Sequence, residues 1–147
     1  MNEERSSENT PTPNYDEERL ADLRYVLQPT RLRLLQQILA TDWAALSPAE
    51  LAFRNPDTSE STIRDHLREM TERERAITAK LTVSEGERRQ GVPRTFYAVT
   101  KYGVELLKTV GMYEGISLLY QMYENADRPE RIRKVEKFEH RPEPDWL

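Results

Sequence analysis

Between Ser47 and Val99 the apolar residues change their spacing, and that change constrains the fold more than any other feature of the chain. Ser47-Pro48-Ala49-Glu50 is a helix start. Ser47 caps, proline takes a first-turn position where its missing N–H is no loss, and Glu50 stands three residues on to reach back. The helix is short, because Leu51, Ala52 and Phe53 are followed by the breaker pair Asn55-Pro56. Asp57-Thr58-Ser59-Glu60 opens the next helix, with either Asp57 or Ser59 as its cap. Ile63, Leu67 and Met70 follow as one helical stripe, running to about Arg73. The period then drops to two. Ile77, Ala79, Leu81 and Val83 alternate with Thr78, Lys80 and Thr82, and Thr95-Phe96-Tyr97-Ala98-Val99 is rich in β-formers. The polar run Glu85 to Gly91 joins the two strands into an antiparallel hairpin.

The flanks extend this pattern. Met1 to Tyr15 is nearly free of apolar residues and reads as a disordered tail. From Asp16 on, Leu20, Leu23, Val26 and Leu27 repeat at helical spacing, and Pro29 begins a helix with Leu32, Leu35, Ile38 and Leu39 on its stripe. Arg31 and Arg33 fall outside that stripe and are expected in solvent. A helix from Thr100 or Lys101 carries Val104, Leu106, Leu107 and Val110, and Gly111 ends or bends it. Met112, Ile116, Leu119 and Tyr123 form a further stripe, with Leu118, Tyr120 and Met122 on other sides. A helix so apolar all round is not expected to face water. Residues 128–147, with three prolines and many charges, read as a loosely attached tail with a helical turn around Ile132 and Val135.

Composition removes whole classes of function. No cysteine occurs among the 147 residues, so disulfides, thiolate metal sites and thiol catalysis are excluded. There is no Gly-rich phosphate loop, no Gly-x-Ser-x-Gly, no His-Glu-x-x-His and only two histidines, so neither an enzyme nor a cofactor is expected. No apolar run reaches the roughly 20 residues of a membrane helix, and the polar start is no secretory signal. A cytoplasmic protein without a membrane partner is expected. The net charge is -4, and residues 57–108 are the least acidic part. Of the 22 basic residues 17 are arginine, which resembles the usage of salt-adapted haloarchaeal proteins; a GC-rich genome gives the same bias. In high salt, counterion release gives little affinity for nucleic acid, so direct and shape-based contacts carry more of it.

The order helix, short helix, helix, hairpin, helix is the outline of a winged helix-turn-helix. Three segments make the resemblance specific. Leu27-Gln28-Pro29-Thr30-Arg31-Leu32-Arg33-Leu34-Leu35 is similar to the first-helix pattern of arsenic-repressor-type (ArsR-like) regulators. Ser59 to Met70, with its His-Leu-Arg-Glu run, resembles their recognition helix. Arg94 to Gly103 resembles the end of their wing, and also the Tyr-x-x-Thr-x-x-Gly pattern of phenolic-acid-repressor-type (PadR-like) regulators, which leads into a dimerisation helix. The resemblance spans about residues 20 to 110 and does not choose between the two families. It departs from metal-sensing members, which use Cys or His clusters: His66 and His140 lie far apart in sequence.

The expected fold class is thus α+β, mainly α with a small antiparallel β-hairpin, a winged helix-turn-helix with a C-terminal dimerisation helix. The expected parts are a disordered tail at 1–15, a winged-helix DNA-binding domain at 16–110, a dimerisation helix at 111–127 and a charged C-terminal tail at 128–147. The expected function is a transcriptional regulator, in particular a repressor, that binds specific double-stranded DNA. The helix at about 58–72 would lie in the major groove and the wing at 84–94 on the backbone or minor groove. With Ile63, Leu67 and Met70 facing inward, the outward residues are Glu60, Ser61, Arg64, Asp65 and Arg68, with Thr62 at the border and Ser59 at the helix start. Arginine suits guanine or phosphate, Ser and Thr either, and a carboxylate accepts from cytosine. In the wing, Arg88, Arg89 and Arg94 can reach phosphate or a narrow minor groove. Met112, Ile116, Leu119, Tyr120 and Tyr123 are the expected interface of a homodimer, whose two-fold symmetry suits palindromic half-sites; the alternative is a helix folded back on its own chain. Two other readings stay open: a winged-helix module for protein partners, which the acidic balance favours, and a regulator answering to a small-molecule effector held near the last helix.

Overall fold

The computed structural model describes residues 16–147; the stretch 1–15, expected as a disordered tail, lies outside the described residues. The elements in chain order are α1 (Glu17–Val26), α2 (Pro29–Leu39), α3 (Pro48–Arg54), α4 (Glu60–Glu72), β1 (Thr78–Thr82), β2 (Thr95–Val99), α5 (Lys101–Thr109), α6 (Ile116–Glu124) and α7 (Glu130–Glu136). This is the α+β class that the change of period implies. The start signals act as their chemistry requires. Asp16 caps α1, Gln28 caps α2, and Ser47 with Glu50 completes a reciprocal capping box on α3. Of the two residues able to cap α4, it is Ser59 that accepts from the Thr62 N–H.

The main core lies between α1 to α5 and one face of the hairpin. Leu34, Leu35, Ile38, Leu51, Ile63, Leu67, Met70, Ile77, Leu106 and Leu107 are all fully buried in it. Leu46 adds a short third rung to the sheet, exchanging backbone hydrogen bonds with Tyr97 at 3.1 and 2.8 Å. The Thr-x-x-Gly run has a local cause. The Thr100 hydroxyl accepts from the Gly103 N–H (3.0 Å) and lies 2.8 Å from the Ala76 carbonyl, to which it donates. At Gly103 a Cβ would stand 2.5 Å from the Ile77 carbonyl oxygen, so only glycine lets α5 lie this close to the hairpin. Gly111, at φ +75°, ends α5: its N–H reaches the Lys108 carbonyl and Met112 N–H the Leu107 carbonyl, closing a Schellman motif.

The hairpin pairs Thr78 with Val99, Lys80 with Tyr97 and Leu81 with Phe96. Its alternation is real, but the apolar face is turned away from the helical core. Val83, Phe96 and Ala98 are buried against Val135 and Phe138, with Leu81 and Trp146 packed at the margin. Residues 128–147 are therefore not a loose tail. Ile132, Val135 and Phe138 are buried, and the Trp146 indole donates to the Val99 carbonyl at 2.9 Å. Arg141 is the anchor. Its side chain is 3% exposed and pairs with Glu50, which is fully buried. The segment's charges and prolines mask the reason in the sequence: three apolar residues, thinly spaced, Val135, Phe138 and Trp146, pack on the outer face of the strands together with Ala45 and Val92.

One further expectation is corrected. Arg31 is half-buried, donating to the Tyr25 carbonyl (3.0 Å) with its guanidinium 3.7 Å from the Tyr25 ring centroid. Arg73 stacks on the same ring at 3.8 Å. A guanidinium over an aromatic face is attracted by the ring quadrupole, which a helical-wheel reading does not register. α6 packs on α2 within the chain, through the face that carries Ile116, Leu119, Tyr120 and Tyr123, all half-buried. The apolar side chains left outward are Leu118 and Met122, each 63% exposed, with Met112 nearby in sequence.

Candidate nucleic-acid interface

The position of α4 is set from below. Ile63, Leu67 and Met70 are fully buried, and Thr71 and Thr78 share a 2.9 Å hydroxyl contact beneath its second half. The turn before it is held by a side-chain network that sequence reasoning missed. The Gln37 and Asn55 amides bond each other reciprocally at 3.2 and 2.7 Å, and Gln37 also donates to the Tyr123 hydroxyl at 3.1 Å. Tyr123 in turn donates to the Arg54 carbonyl at 3.3 Å. The available signal was Asn55-Pro56, which marks the break but not its partners. At the far end Arg73 donates to Asp22 at 2.6 Å, and Tyr102 donates to the other carboxylate oxygen at 2.5 Å. Burial raises the Asp22 pKa, but the bonds from Tyr102 and Arg73 outweigh it and hold the carboxyl below its usual range.

The opposite face of α4 is open. Ser61, Thr62, Arg64, Asp65 and Arg68 are exposed. Arg64 and Arg68 side chains are 57% and 55% exposed, and their ion pairs are made within the helix: Arg64 with Glu60 at 2.5 Å, Arg68 with Asp65 at 3.1 Å. Such exposed pairs are worth under about 1 kcal/mol, so either arginine can leave its partner for a phosphate or a base. Ser59 and Thr62 are engaged with each other at the cap (3.0 Å), and Ser61 is free of side-chain partners among the described residues. Burial outweighs the opposing charges of Arg64 and Arg68 and leaves the Tyr97 hydroxyl above the usual tyrosine range. His66 is half-buried and makes no side-chain hydrogen bond among the described residues.

In the wing, Arg88, Arg89 and Arg94 are exposed. Arg88 donates to Glu85 at 3.1 Å across a 3₁₀ turn at Glu85–Glu87. Arg89 lies 3.7 Å from Glu139, and His140 lies 3.4 Å from Glu87, so the C-terminal segment also flanks the wing. Arg94 has no ion pair among the described residues. Of the expected interface residues, Ile116, Leu119, Tyr120 and Tyr123 are brought together, but against α2. A cavity of about 180 Å³ opens between them and the turn, lined by Trp43, Asp42, Arg54, Tyr120, Tyr123 and Arg128 among others. Among the described residues no group of three His, Cys, Asp or Glu is placed to hold a metal, and no helix is long and apolar enough to cross a membrane.

No protein-family model matches the chain, and no curated protein matches it. Among solved structures it is similar to a protein with a GntR-superfamily winged-helix-turn-helix domain from Halomicrobium mukohataei. The two share 39% sequence identity over 94% of this chain and 95% of that one, with a TM-score of 0.82.

Proposed function

The chain belongs to the GntR-superfamily winged-helix-turn-helix proteins, and from that premise we propose that it is a sequence-specific DNA-binding transcriptional regulator that acts as a repressor. The similar solved structure carries a GntR-superfamily domain and gives no support to the narrower ArsR-like or PadR-like resemblance; of the residues on which that resemblance rested, Leu67 and Met70 are core, Thr100 is a cap and Gly103 a close approach. The observation that carries the proposal is the outward face of α4. It is polar, free of any covering element among the described residues, and fixed by a fully buried stripe on the other side. In this reading α4 enters the major groove with Ser59, Ser61, Thr62, Arg64, Asp65 and Arg68 toward the DNA, and Arg88, Arg89 and Arg94 of the wing lie on the backbone or minor groove. Two copies would pair through α6, its exposed Leu118 and Met122 facing the second copy. A small-molecule effector would sit in the cavity beside Arg54, where it abuts the turn before α4.

Fluorescence anisotropy against DNA from the protein's own upstream region tests the reading, with Arg64→Ala/Arg68→Ala alongside. Loss of about 1–3 kcal/mol per arginine is expected, confined to the specific sequence. A second reading, a module for protein partners, draws on one observation: α4 carries Glu60, Asp65, Glu69 and Glu72 against only Arg64 and Arg68. Absence of sequence-dependent DNA binding by the folded protein at any salt would decide for that second reading.

A further inference from the structure

We propose that α7 is a second contact to the DNA backbone, joined to the wing as one phosphate-binding surface centred on Arg89, Lys134 and Lys137. The inference rests on the DNA-binding reading above and adds to it a site outside the helix-turn-helix and wing. Three observations meet here. First, α7 is seated on the core: Ile132 and Val135 are buried, and Val135 packs with Phe138 beneath the hairpin's outer face. Second, Lys134 lies against the wing main chain, since a Cβ at Gly91 would stand 2.8 Å from its Nζ. An open groove follows, lined by Arg89, Gln90, Val92, Lys134, Lys137, Phe138 and Glu139. Third, the cations of α7 and of its C-cap, Lys137, are not neutralised. Arg131, Arg133, Lys134 and Lys137 are exposed, and none has an ion pair among the described residues. The Glu136 carboxylate is taken by Arg128 at 2.7 Å. Glu139 alone faces the groove, 3.7 Å from Arg89.

The contrast with α4 defines the chemistry. On α4 each outward arginine has a carboxylate on its own helix, and the acids outnumber the bases. On α7 the positive charge is unbalanced in a chain whose net charge is -4. Long, mobile cations without planar base-edge geometry suit phosphate, which asks for charge rather than pattern. Continuity with the wing favours the DNA backbone over an acidic protein as the occupant, because a duplex held by α4 and the wing already runs past Gly91.

The test uses the full chain and anisotropy over a salt series, with the upstream duplex and a scrambled duplex as probes. In Lys134→Gln/Lys137→Gln the affinity for both duplexes should fall together. The slope of log K against log salt should drop by about 0.9 for each phosphate no longer neutralised, so by about 2, while the preference for the upstream sequence is kept. Lys134→Arg/Lys137→Arg should restore the slope, which a merely structural role for the lysines would not require. Wild-type slope and affinity in the glutamine variant, with binding still abolished in Arg64→Ala/Arg68→Ala, would overturn this proposal alone. No DNA binding by the wild type would remove the DNA-binding reading and this surface together.

Discussion

Replacing Arg141 by alanine removes the side chain that ties the C-terminal segment to both the helices and the hairpin. The guanidinium donates twice to Glu50 (2.8 and 3.2 Å), once to the Val135 carbonyl (3.0 Å) and once to the Ala45 carbonyl (2.8 Å). Its plane lies 3.9 Å from the Trp43 ring centroid and 4.8 Å from that of Phe96. Glu50 is fully buried, so its charge stays behind in the core. Removing one member of a buried pair costs about 3–5 kcal/mol. Two circumstances adjust this in opposite directions. The Ser47 N–H and hydroxyl still donate to Glu50, at 2.9 and 3.0 Å, which lowers the cost. The missing stacking on two rings raises it by about 0.5–2 kcal/mol. The expected loss is about 4 kcal/mol, a fall in Tm of roughly 10 °C for a chain of this size. Urea unfolding at an unchanged m-value would measure it. The chain's two tryptophans, Trp43 and Trp146, both border the segment and report its release by emission. The double variant Glu50→Gln/Arg141→Met should lose less than the two single changes added, because no buried charge is left alone. A stability within about 0.5 kcal/mol of wild type in Arg141→Ala would refute the anchoring argument.

Gly103→Ala should cost about 1–3 kcal/mol by thermal unfolding, because the new methyl meets backbone. Gly111→Ala, with open space around it but φ +75°, should cost only the left-handed penalty of about 1–2 kcal/mol; equal, negligible effects would contradict both assignments. Burial and the Asp22 bond push the Tyr102 pKa up to about 12, so its stabilisation holds below the normal tyrosine range near 10 and is lost as pH rises through the folded value. Asp22 has a lowered pKa, so its contribution is present above the usual carboxylate range and is lost as pH falls through the folded value. Ultraviolet titration of Asp22→Asn should bring the Tyr102 ionisation back toward its ordinary range; a titration still near 12 would leave burial as the whole cause. Leu118→Glu/Met122→Glu should convert a dimer to a folded monomer in sedimentation velocity, and an unchanged dimer would move the interface away from α6.

The helical frame was legible because its signals are local. Ser47 and Glu50, Pro29 and the Ile63, Leu67, Met70 stripe each act within two turns of chain, and each lies where its spacing placed it. What was not legible depends on partners far apart in sequence. Alternation showed that β1 has an apolar face but not what would cover it, and the covering residues Val135, Phe138 and Trp146 are diluted among charges. The Arg31–Tyr25–Arg73 stack joins three residues that helical spacing leaves unrelated. In α6 the apolar excess was visible, but periodicity could not say that the Ile116–Tyr123 side would meet α2 and leave Leu118 and Met122 outward. For the interface, spacing identified which α4 residues face out; it could not show that Arg64 and Arg68 each rest on an acid of the same helix.

The pairing of Glu50 with Arg141 also bears on how long the native state lasts. The two residues stand 91 positions apart, and the loop they close encloses α4, the hairpin, α5, α6 and α7. Closing so long a loop is entropically costly until the enclosed elements have already met. The contact is therefore expected to form late in folding, which an unchanged folding rate and a faster unfolding rate in Arg141→Ala would show. Interactions made after the barrier leave the folding rate nearly untouched and slow unfolding instead. A segment that looks like an appendage in the sequence would then act as a kinetic latch, its hold on the outer face of the wing lasting as long as the buried guanidinium stays beside the Trp43 and Phe96 rings.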